Sequence, residues 1–221
     1  RIDRGVGGDA GVGLLAGVQD GGLADVSEET GQLVLQRKPL ARAYLRSTLL
    51  VMLFTLGAWY WLQIFHECGH VLGAWATGGR VLALVLEFLG FSRTDVGPNP
   101  RPLVVVWAGP LVGVTIPALL WALVGSVRRS VASICGVFTG LCLVANGVYI
   151  GFGSIDGIGD AGEMIHHGTP RWVLWAVGAA FVAAGFVLWH VLPAHPRPSR
   201  REFRYSAIGA FASAAIIVAL V

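Results

Sequence analysis

Apolar residues in this chain gather into long blocks separated by short polar breaks. Four runs, Thr48–Ala76, Leu103–Gly125, Val131–Phe152 and Trp172–Leu192, are each long enough to cross the ~30 Å hydrocarbon core of a bilayer as a helix. A fifth, Ser206–Val221, is short of the ~20 residues a crossing helix needs, so it is a marginal or truncated span. Val81–Phe91 is apolar but shorter still, and strand formers open it. It therefore reads as a re-entrant hairpin or an interfacial strand. Gly78-Gly79 stops the first helix, and Ser92–Pro102 is a polar linker broken by prolines. Ala108-Gly109-Pro110 and Pro117 in the second run suit a helix packed against other helices more than one facing lipid.

This pattern predicts an all-α polytopic membrane protein of about five transmembrane helices, with a short hairpin or strand near 81–91. Residues 1–43 have many glycines and acidic groups and no sustained apolar period, which predicts a flexible tail. The membrane-embedded domain then covers 44–221, with a core at 48–170 and accessory helices at 172–192 and 206–221. Trp172, Trp175 and Trp189 suit interfacial belts.

Composition agrees. The chain is 55% hydrophobic and 13% charged, with a mean hydropathy of +0.68, outside the usual range of soluble domains. A net charge of +3 would be compatible with nucleic acid, but the basic residues cluster between apolar runs, where topology accounts for them. The expected surroundings are thus a lipid bilayer, without nucleic acid. Heavy use of Arg, Gly, Ala and Val points to a prokaryotic cell membrane. The three cysteines, Cys68, Cys135 and Cys142, all fall in apolar segments and read as buried thiols.

The chemistry concentrates at His66-Glu67-Cys68-Gly69-His70, an HExxH motif in the last third of the first run. On a helix, residues four apart share a face, so both imidazoles can bind one metal ion while Glu67 reaches a water beside it. Two histidines and a carboxylate make a zinc site with an open fourth position, suited to peptide hydrolysis with Glu67 as general base. Counting spans places the loop after the third run at the same membrane face as the motif. Asp160, ahead of a short helical stretch, is the preferred third ligand, and Asp156 is its competitor; Glu163, His166 and His167 stand behind them. A helix-capping role is the ordinary alternative for Asp160. Asn146, near the end of the third run, either makes an interhelical hydrogen bond or binds substrate.

With HExxH in an early span, Ala108-Gly109-Pro110 in the next, and Asn146 followed by Asp160 at the end of a third, the chain resembles the site-2 protease family of intramembrane zinc metalloproteases. The resemblance covers about residues 48–170. It implies Zn²⁺ held by His66, His70 and one Asp, Glu67 as base, and a single-pass membrane protein as substrate, cleaved within or near the bilayer. It also implies that 81–91 is a membrane-embedded β-hairpin on which an extended substrate adds as a strand. The family's pattern has a proline soon after the Asn and a tighter Asn-to-Asp spacing, which Asn146-Gly147-Val148-Tyr149 lacks. The family's site faces the cytoplasm, whereas the distribution of arginines makes the opposite side cytoplasmic. Two other readings stay open: a non-proteolytic relative acting as a scaffold, and a metal or proton transporter built on the His/Asp cluster.

Overall fold

The computed structural model describes residues 21–87, 90–192 and 198–220. The chain divides into two units, Arg1–Thr48 and Leu49–Val221. In the first unit the described residues, 21–48, are helical and form the opening part of α1 (Gly21–Ala76). Residues 21–43, expected as part of a tail, are thus helical, and residues 1–20 lie outside the described ones. Between Leu23 and Arg46 most residues are Ala, Leu, Glu, Gln and Arg, good helix formers that outnumber the unfavourable Gly31 and Pro39.

The second unit holds the rest. After α1 come β1 (Val81–Val85), β2 (Arg93–Val96), α2 (Pro102–Val127), α3 (Arg129–Asp156), α4 (Gly159–His166), α5 (Arg171–Val191) and α6 (Arg200–Leu220). Among the described residues, four helical segments are long and apolar enough to cross a membrane: 42–76 of α1, α2, α3 and α5. The fifth expected span falls within α6, which does not qualify. Arg200, Arg201, Glu202 and Arg204 occupy its first turns, and only its later part is apolar. That part packs instead on α1, where the Trp61 indole N–H donates to the Ala210 carbonyl at 3.2 Å and Tyr60, Ile64 and Ala214 form a buried cluster.

The predicted end of the first helix is found where expected. Gly78 has a left-handed φ of 77°, and the Gly79 N–H returns to the Ala74 carbonyl at 2.8 Å. The apolar segment that follows does form a hairpin, but its second strand comes from the stretch expected as a linker. β1 pairs antiparallel with β2, with Leu84 opposite Thr94 and Val85 opposite Arg93. Arg-Thr-Asp-Val carries no hydrophobic alternation. What recruits it is the need of β1 for a backbone partner, since a lone strand leaves its peptide groups unpaired.

Helix packing relies on close approach. A Cβ on Gly147 of α3 would lie 2.6 Å from the Gly178 carbonyl of α5, and one on Gly178 would lie 2.7 Å from the Gly147 carbonyl. Gly185, two turns further along α5, meets the Gly140 carbonyl in the same way at 2.9 Å. Small residues let these backbones touch, and the gain is dispersion contact along the whole seam. Gly178→Leu is therefore expected to destabilise the purified protein by about 1–3 kcal/mol or more, read as a lowered Tm in detergent. Gly151→Ala, where an added Cβ meets nothing within 4 Å, is expected to leave Tm unchanged.

Candidate metal centre

The site forms where α1, α2, α3 and α4 meet. On α1, His66 and His70 lie one turn apart with ring centroids 4.9 Å from each other, both buried. Their approach to α2 depends on two glycines. A Cβ at Gly69 would strike the Ala108 carbonyl, and a Cβ at Gly109 would strike the His70 ring. With both absent, the His70 Nδ1–H donates to the Val105 carbonyl at 3.0 Å. The third member arrives from the far end of α3. Gly157 takes a left-handed φ of 67° and closes that helix, so the chain turns back and α4 begins at Gly159.

Asp160 on that first turn reaches inward. Its Oδ2 lies 2.7 Å from His66 Nε2 and 3.2 Å from His70 Nε2, and the two Nε2 atoms are 3.2 Å apart. The N-cap position of α4 is Ile158, so Asp160 is not its capping residue. Its competitor Asp156, the last residue of α3, is exposed and outside the cluster. Glu163 is exposed and sits 3.6 Å from His167, its partner one turn on, and His166 is exposed too. Among the described residues, His66, His70 and Asp160 are the group able to hold a metal ion.

Hydrogen-bond bookkeeping shows why a cation fits. The His66 Nδ1–H donates to Asn146 Oδ1 at 2.8 Å, and His70 Nδ1–H donates to a backbone carbonyl. Both acceptors lack a proton to give, so each imidazole must carry its hydrogen on Nδ1. In the neutral rings both Nε2 lone pairs then point into the same small space as a carboxylate oxygen. Three acceptors with no donor between them call for a positive charge. Their separations of 2.7, 3.2 and 3.2 Å approach the ~3.3 Å edge of a tetrahedron with ~2.0 Å metal–ligand bonds.

Around these three lie Glu67 and Asn146, which the sequence singled out, and Thr94 and Tyr149, which it did not. Glu67 is buried, and its Oε2 accepts from the Thr94 hydroxyl on β2 at 2.7 Å. Tyr149 accepts the Asp160 N–H at 3.2 Å and sets its ring edge-on to His66 at 5.7 Å. A cleft of about 790 Å³ opens over the site, lined by His66, Glu67, His70, Tyr149 and Asp160 and by Ser92–Thr94 of the hairpin. Asn146 is 2% exposed; its amide is engaged by His66 and, through Nδ2, by the Cys142 carbonyl at 2.9 Å. The structure thus gives Asn146 the interhelical hydrogen bond, as orienter of His66.

Asp160→Ala is expected to strip divalent metal from the purified protein, and Asp156→Ala to leave it bound, as read by elemental analysis. Asn146→Ala should weaken metal affinity about 10- to 100-fold, because the tautomer and ring orientation of His66 are no longer fixed.

The chain matches no family model, no curated protein and no solved structure.

Proposed function

We propose that this protein is an intramembrane zinc metalloendopeptidase, as its resemblance to the site-2 protease family implies, and that it cleaves single-pass membrane proteins. The observation that supports this reading most is the pairing of the two imidazoles and Asp160 with a separate buried carboxylate, Glu67, on the same helix face. Three ligands leave a fourth position open, as catalytic zinc sites do and closed structural sites do not. A zinc ion bound there would supply Lewis acidity toward a water and the scissile carbonyl.

The chain's own residues divide the remaining work. Glu67 takes a proton from the attacking water and delivers it to the leaving amine. Thr94 donates to one oxygen of Glu67, which fixes the carboxylate and leaves the other oxygen for that proton transfer. Tyr149 accepts from the Asp160 amide and keeps its own hydroxyl proton, a donor for charge developing on the carbonyl oxygen. His66 and His70 are held by Asn146 and Val105 and bring no free N–H into the cleft. The hairpin suits an extended substrate, since a two-stranded sheet leaves free strand edges for main-chain pairing and a helical substrate hides its carbonyls.

A transporter would string buried polar groups through several spans. Among the described residues the buried histidine and carboxylate side chains are His66, Glu67 and His70, close together on α1, and the buried polar groups of α3 are the neutral Thr139, Asn146 and Ser154. Glu67→Gln is expected to lower cleavage of a model transmembrane substrate by about 10²- to 10⁴-fold while bound zinc stays stoichiometric. Full zinc occupancy without any Glu67-dependent cleavage across varied transmembrane substrates would refute the protease and favour the scaffold.

A further inference from the structure

We propose that Gln63 is the main-chain-reading donor of a substrate subsite: its side-chain N–H binds a backbone carbonyl of an extended apolar segment, one side chain of which fills the adjoining cavity. Gln63 lies on α1 one turn before Glu67, on the same face. It is 6% exposed. Its Oε1 accepts both the Ser92 backbone N–H at 2.8 Å and the Ser92 hydroxyl at 2.9 Å. A backbone N–H only donates, so the atom facing Ser92 is oxygen and the orientation of the amide is settled. Nε2 is left as the one buried side-chain polar atom among the described residues with no hydrogen-bond partner. Folds satisfy nearly all such donors, so this one is a site in want of an acceptor.

Beside it is a cavity of about 90 Å³ whose apolar side is Trp59, Leu62, Phe91 and Ala145 and whose polar side, besides Gln63, includes residues of the large cleft such as His66 and Tyr149. An unpartnered donor beside an apolar wall suits a ligand with a carbonyl next to an apolar side chain. An extended peptide from a membrane segment has that chemistry, and so does the ester end of a lipid. Position favours the peptide. Ser92, which Gln63 holds, immediately precedes β2, and Thr94 of β2 holds Glu67. Gln63 therefore stands where a chain running along the hairpin toward Glu67 would present its backbone. The choice of ligand rests on the protease reading; the orphaned donor and the cavity do not.

The test uses the full chain in detergent micelles with Glu67→Gln, so that binding is measured without turnover. The probe is a short apolar peptide and a set of analogues, each with one backbone amide replaced by an alkene. Binding of the parent peptide is expected to weaken about tenfold in Gln63→Met and in Gln63→Glu. The second variant keeps the acceptor for Ser92 and loses the donor. One alkene position should cost about tenfold against protein carrying Gln63 and nothing against either variant. Equal losses at every position in all three proteins would overturn the subsite, as would Gln63-dependent retention of a diacyl phospholipid with no effect on the peptide. The wild-type alkene scan tests the proposal even if a variant fails to fold, since no single sensitive position would also overturn it. Failure of the protease reading shows separately, as absent Glu67-dependent cleavage with the peptide coupling intact.

Discussion

The site depends on how closely α1 and α2 approach at Gly69 and Gly109. Any side chain at either position would drive the helices apart, and His70 would lose the Val105 carbonyl that holds its proton on Nδ1. A free imidazole would then choose its own tautomer. With the tautomer fixed on both histidines, two lone pairs and a carboxylate oxygen converge, and the affinity of the site for a cation follows from geometry. In a bilayer this contact has no hydrophobic driving force behind it, because lipid is as apolar as the facing helix. It is held by dispersion between backbones, with hydrogen bonds that need the backbones to be near.

The same reasoning extends outward through α3. Asn146 orients His66 from one side, and α3 is itself seated against α5 through Gly147, Gly178 and Gly185. The end of α3 at Gly157 sets where α4 starts, and so where Asp160 points. Three ligand positions from two distant parts of the chain are thereby fixed by glycine contacts several turns away. Substitutions that merely loosen the α3–α5 seam act on the metal centre through Asn146 and Asp160, without touching it.

Much of this was legible in the sequence, and the reason is periodicity. His66 and His70 are local: a helix of 3.6 residues per turn puts them together whatever else happens. Asp160 was within reach by counting spans, since two crossings, an even number, separate it from the motif's end of the first helix. What stayed hidden has no period. β2 is Arg-Thr-Asp-Val, which reads as a linker, and its place in a hairpin is decided by the unpaired backbone of β1. Thr94 and Tyr149 act by contacts between elements whose relative placement no local rule specifies. A buried Asn in a membrane helix must find partners, but whether they are substrate or histidine is decided by the register of α1 against α3. The helix over 21–43 was missed for the opposite reason: composition supports a helix there, while an argument from apolar period sees nothing.

Glu67, the base of the proposed reaction, shares its helix with two of the candidate metal ligands, and this bears on control. His66 and His70 are anchored by α2 and α3, but Glu67 is anchored by Thr94, and Gln63 by Ser92, both from the hairpin region. The metal-binding part and the proton-transfer part of the site therefore rest on different supports. Two strands with one partner each are among the least self-sufficient elements a fold can contain. A displaced hairpin would leave the three-ligand cluster intact while releasing the Glu67 carboxylate and the Gln63 acceptor together. On the proposed function, a chain pairing along β2 would add a strand to the hairpin and hold Glu67 in register with the bond to be broken, so that substrate engagement and assembly of the proton-transfer machinery would be the same physical event.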